Sequence, residues 1–88
     1  MMMTEWDEKK RLSNIEKHGL DFADVKKLDW DNASVLEDTR YDYPEPRWWA
    51  FARWNGRLYF VAFCLRGEKV RIISFRRAND REEKKYGR

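Results

Sequence analysis

From Arg47 onward the apolar and polar positions alternate as strands do. Residues 48–54 and 58–65 flank Asn55-Gly56, the strongest short-range hairpin signal, and a second turn containing Gly67 leads into a strand at 70–75. Before them, 34–38 reads as a short strand, followed by a loop over 39–46 that holds Pro44 and Pro46. The first third of the chain follows helical spacing instead. Asp7 is a good N-cap for a helix to about Lys17, with Leu12 and Ile15 as a narrow apolar stripe, and Gly19 stands at the left-handed position that ends it. A second helix is expected at once: Asp21 caps it, Phe22, Val25 and Leu28 recur at helical spacing, and Leu20 and Val25 suit a hydrophobic staple. Asn79 caps a terminal helix, with Glu82 placed to complete a capping box, and 3–6 is a candidate leading strand.

These elements predict an α+β fold in one domain spanning 1–88: two N-terminal helices on a four-stranded antiparallel sheet, five-stranded if the leading strand joins it, and a C-terminal helix. With two-residue turns at Asn55-Gly56 and Gly67-Glu68, one sheet face carries Arg47, Cys64 and Arg71 in a row, and Arg53, Leu58 and Arg77 further along. Trp49, Phe51, Phe60 and Phe75 fall on that face too. The opposite face holds Trp48, Ala50, Ala52, Val61, Phe63, Val70 and Ile72, and the two N-terminal helices are expected to cover it. A slip of one residue in the second turn would move Arg71, Ile73 and Phe75 across.

Charge sharpens this picture. Residues 1–46 carry seven Lys/Arg against twelve Asp/Glu, whereas 47–88 carry twelve against four, so the second half is the expected anion-binding half. Nine of those twelve are arginines, whose guanidinium fork suits bidentate phosphate contact, although solvated strand charge is an equally simple reading. Arginines interleaved with aromatic rings on a sheet suit single-stranded RNA. The single Cys64 lies in an apolar run and reads as a reduced core residue. No apolar run is long enough for a membrane span and no signal-peptide pattern opens the chain, so a cytoplasmic protein without membrane partners is expected.

The isolated glycines make no phosphate-binding loop, and one His with one Cys cannot complete a zinc site, so neither a metal nor another cofactor is expected. Metal-free RNA cleavage remains feasible, because it needs only a group to take the 2′-hydroxyl proton, cations on the phosphate and a donor for the leaving 5′-oxygen. His18 has the suitable unperturbed pKa, though it is fully explained as a helix-end residue. Arg47, Arg71 and Arg76 are candidates for the phosphate clamp. Tyr86 is either a proton donor or a packing residue, and Glu45 orients Arg47, serves as a base, or is simply an exposed loop carboxylate between two prolines. Lys17, Arg53 and Arg77 are the expected further RNA contacts.

Several segments together resemble the BrnT toxin family: Trp6-Asp7 with Lys10, then Asn14, Lys17-His18-Gly19 and Asp21-Phe22, Glu37-Asp38, Glu45, Arg47, Gly56, and above all the run from Arg71 to Asn79 with Arg81-Glu82 and Tyr86. The resemblance covers essentially the whole chain. It implies a RelE-like fold, growth inhibition by RNA cleavage, and neutralisation by a BrnA-like ribbon-helix-helix antitoxin through which alone the toxin would reach operator DNA. It places functional weight on His18, Arg47, Arg71, Arg76 and Tyr86. The pairs Trp48-Trp49 and Arg76-Arg77 depart from the family pattern. A non-catalytic module binding RNA or protein is the rival reading.

Overall fold

The computed structural model describes residues 2–87, so the two end residues of the expected span 1–88 lie outside it. Five strands, β1 (Met3–Trp6), β2 (Ser34–Asp38), β3 (Arg47–Trp54), β4 (Arg57–Arg66) and β5 (Lys69–Arg77), form one sheet in the order β1-β5-β4-β3-β2. Helix α1 (Glu8–His18) follows β1, and α2 (Asp80–Tyr86) follows β5. Strands β2 to β5 are antiparallel neighbours. The sheet as a whole is mixed rather than antiparallel, because the leading strand pairs with β5 in parallel, Met3 beside Lys69 through Trp6 beside Ile72. A strand from the start of the chain thereby covers the backbone edge that the meander leaves open.

The second helix takes a form other than the expected α-helix. Residues Phe22–Lys27 wind as a 3-10 helix, and a further single turn of that kind spans Trp30–Asn32. The reason is in the spacing: Phe22, Val25 and Leu28 recur every three residues, and three residues per turn stacks them in one row. All three are buried against the sheet, with Ala50, Ala52, Tyr59, Val61, Phe63, Ile72 and Phe75 completing the main core. Helix α1 also departs from expectation, since Leu12 of its apolar stripe is exposed. Among the described residues the only buried member of α1 is Asn14, whose amide nitrogen donates to the carbonyl oxygens of Phe75 (2.8 Å) and Leu20 (3.0 Å) while its oxygen accepts the Phe75 N–H at 3.1 Å. Asn14 thus continues, with one side chain, the edge pairing that β1 begins. It satisfies backbone groups whose burial unpaired would be costly.

Both turns form as expected. Asn55 and Gly56 adopt positive φ (52° and 76°), and the β3–β4 register sets Arg47 opposite Cys64 and Trp54 opposite Arg57. Cys64, buried and free, lies opposite Arg71 in turn. Beyond that point β5 carries a bulge: Phe63 pairs with Ile72 but Ala62 with Ser74, which leaves Ile73 as the extra residue. The bulge corrects the expected facing of everything after it. Phe75 turns into the main core, fully buried, and Arg77 pairs with Tyr59 instead of Leu58, on the core side of the strand. Arg76, opposite Phe60, takes the place expected for its neighbour.

Candidate functional site

The face opposite the main core is divided into a half covered by α2 and an open half. Toward the β3–β4 turn, Phe51, Leu58 and Phe60 form a second small core under α2, with Ala78 and Tyr86 packed on it. The capping box of Asn79 and Glu82 starts α2 as the sequence predicts. Three contacts then hold it down. The Tyr86 ring stacks on Phe51 with centroids 4.1 Å apart and planes within 11°, Arg53 pairs with Glu83, and Arg76 donates to both oxygens of Glu82 at 2.8 and 3.0 Å. The Arg76 guanidinium also lies 4.2 Å over the Phe60 ring, and its hydrogen bonds hold the Glu82 carboxyl below the usual carboxylate range. Arg53, Arg76 and Tyr86 therefore act in the docking of α2.

The other half of this face is open, and the row Arg47–Cys64–Arg71 forms its floor. A hollow of about 170 Å³ lies there, walled by Lys10, Tyr43, Glu45 and Arg66 as well as the two arginines. A second hollow, of about 240 Å³, is lined by Ser13, Asn14, Lys17, His18 and Ser74. Lys10 and Ile73 line both, so the two hollows are parts of one groove between α1 and β5. The bulge sets its middle, and Asn14 fixes α1 against the strand there.

Cations dominate this groove, but they differ in how far they are already occupied. Arg71 donates to Glu5 at 2.7 Å, and Arg66 makes two hydrogen bonds to Glu45, at 2.8 and 3.3 Å, which raise the arginine's pKa further. Arg47 has no carboxylate within ion-pair distance among the described residues; its guanidinium lies 4.5 Å over the Tyr43 ring. Lys10, Lys17 and His18 are exposed and likewise make no salt bridge among the described residues. An anion entering the groove meets Arg47, Lys10 and Lys17 first and then competes with Glu5 and Glu45 for the paired arginines.

Of the residues singled out from the sequence, the groove brings together Lys17, His18, Arg47 and Arg71, with Glu45 on its wall. Arg53, Arg76 and Tyr86 stand at the α2 end, Arg76 two positions along β5 from Ser74, and Arg77 is exposed on the other side of the strand. Lys10, Arg66 and Tyr43 went unselected as site residues. Lys10 could have been found from helical spacing, because it lies on the same side of α1 as Asn14 and Lys17. Among the described residues no group of three or more His, Cys, Asp or Glu side chains is placed to share a metal ion.

Fold and groove define a class: a small α+β protein that presents an open, cation-lined sheet face to an anionic ligand. Residues 6–82 match the family model described as "Ribonuclease toxin, BrnT, of type II toxin-antitoxin system", and the chain belongs to that family. The family assignment gives RNA as the target and an antitoxin as the partner. No curated protein matches the chain. No helix among the described residues is long and apolar enough to cross a membrane.

Proposed function

We propose that this chain is a metal-independent endoribonuclease that works in the cytoplasm, cuts RNA in the groove between α1 and β5, and thereby stops translation and growth. One observation carries the reading: Lys10 and Ile73 join the arginine hollow to the His18 hollow in a single groove. A phosphodiester over Arg47, Arg71 and Lys10 has its negative charge met by three cations, and the imidazole stands further along the same channel. In the reaction the 2′-hydroxyl loses its proton to a base, its oxygen attacks phosphorus, and the P–O5′ bond breaks as O5′ takes a proton. The products are a 2′,3′-cyclic phosphate and a 5′-hydroxyl. His18 is suited to proton transfer, and the arginines to stabilising charge on the phosphorane. Arg76, two positions along β5 from the groove residue Ser74, reaches the RNA if it exchanges Glu82 for phosphate, while Arg53, Arg77 and Tyr86 contribute through α2 and the strand flanks.

The partner we propose is a BrnA-like ribbon-helix-helix antitoxin that carries the complex to operator DNA, with the toxin folding as one domain. The test of the enzymatic reading is incubation of the purified chain with RNA in EDTA. Cleavage leaving cyclic phosphate ends, abolished in His18→Ala or Arg47→Ala while both variants melt as the parent does, is the expected result. RNA bound in a salt-dependent manner yet never cut would overturn it and leave a binding module.

A further inference from the structure

Beyond the phosphate groove, the loop between β2 and β3 is built in a way that packing does not require. Its anchor is Asp38, buried at the end of β2, which accepts the Arg40 backbone N–H (3.2 Å), Arg40 Nε (3.0 Å) and Nη2 (3.1 Å), and the Tyr43 hydroxyl (2.9 Å). Arg40, so held, lies 4.7 Å over the Trp49 ring and 5.6 Å over Tyr41. Tyr41 meets Tyr43 edge to face at 5.7 Å. The outcome is a Tyr41 ring set against Arg40 and Tyr43 yet 67% exposed, the most exposed of the large apolar side chains described. A cavity of about 410 Å³ opens beside it, and Tyr43 is a wall of both this cavity and the arginine hollow. On the rim, Glu37 and Asp42 are exposed and make no salt bridge among the described residues.

We propose that this loop is a nucleobase subsite, in which Tyr41 stacks on the base adjoining the phosphate held at Arg47. Charge decides which part of a nucleotide goes where. The carboxylates of Glu37 and Asp42 repel the phosphate backbone and accept hydrogen bonds from base amino groups, while Arg47 on the far side of Tyr43 attracts the backbone. An exposed, pre-positioned ring is a sequence-tolerant platform, and the larger ring system of a purine gains more from it. The inference rests on the ribonuclease reading for the identity of the ligand.

The experiment measures binding by anisotropy of two labelled, 2′-O-methylated probes that cannot be cut, a hexaadenylate and an abasic chain of equal length. The parent is expected to bind the hexaadenylate about tenfold more tightly than the abasic chain. Tyr41→Ala should remove that difference without lowering the melting temperature, and Tyr41→Phe should keep it. Equal binding of the two probes by the parent, no binding of either, or an undiminished preference in Tyr41→Ala would overturn the subsite. Cleavage of ordinary RNA separates the two readings. A Tyr41→Ala protein that cuts RNA with unchanged KM leaves the ribonuclease standing and refutes the stacking. A base-dependent affinity in a protein that never cuts does the reverse.

Discussion

Asn14→Ala is the substitution whose cost follows most directly from geometry. The side chain makes three hydrogen bonds, two to the backbone of Phe75 and one to the carbonyl of Leu20, and Asn14 is 6% exposed. Alanine leaves one N–H and two carbonyls without their partner where water has poor access. At about 1 kcal/mol for each lost bond the variant should be roughly 3 kcal/mol less stable. A domain of this size loses about 4–8 °C of melting temperature per kcal/mol, so a drop of roughly 12–24 °C is expected. Urea midpoints give the free energy, and hydrogen exchange should show the Phe75 amide losing protection beyond the global change. Asn14→Asp is the informative companion. It keeps an acceptor for the Phe75 N–H but sets a carboxylate against two carbonyl oxygens, so its folded pKa is raised. Its penalty should therefore begin as pH climbs above about 4, the ordinary aspartate range, and level off above the raised value. A loss below about 1 kcal/mol in Asn14→Ala, with unchanged exchange at Phe75, would refute the view that this amide replaces a strand pairing.

Three other outcomes are expected. Arg40 and Tyr43 hold Asp38 down to a pKa of about 2, so its contribution is complete above pH 4 and fades as pH falls toward 2; the gap in urea midpoint between parent and Asp38→Asn should narrow over that range. Tyr86→Ala loses the stack on Phe51, with a cost of roughly 1–2 kcal/mol beyond which the sheet is untouched, and exchange protection should fall in α2 but persist in β4. Arg47→Ala and Arg71→Ala should each lower the salt slope of RNA binding by about 1, whereas Lys26→Ala, on the exposed side of the 3-10 helix, should leave it unchanged.

Local chemistry made most of the elements legible. Asp7, Gly19, Asn55-Gly56, Asn79 and Glu82 each signal a start, stop or turn through their own side chains or backbone freedom, and the elements begin and end beside them. The row Arg47–Cys64–Arg71 was legible for the same reason, since two short turns fix its register. What escaped was non-local. The bulge at Ile73 leaves no mark on the sequence, because no glycine accompanies it, yet it decides that Phe75 is core and Arg76 faces α2. The parallel pairing of β1 depends on β5, far along the chain, and so no local pattern reports it. The three-residue spacing of Phe22, Val25 and Leu28 suits the 3-10 helix that forms, but an i, i+3 pattern is shared with the α-helix and so did not decide between them. Of the site, the sequence reveals its charge, and Arg47, Arg71, Lys17 and His18 share the groove; Arg53, Arg76 and Tyr86 could not be told from ligand-binding groups until their partners Glu83, Glu82 and Phe51 were seen.

The parallel placement of β1 on β5 also sets an order of events. Glu5 and Arg71, 66 positions apart, meet only when the last strand is in place, and the α1–β5 groove needs Asn14 clamped to Phe75 over a similar separation. A nascent chain on the ribosome holds α1 long before it holds β5, and contacts of such long range form late and slowly. If the groove is where RNA is cut, it stays incomplete until β5 has been made and has paired with both β1 and Asn14, so the earlier elements are harmless by themselves.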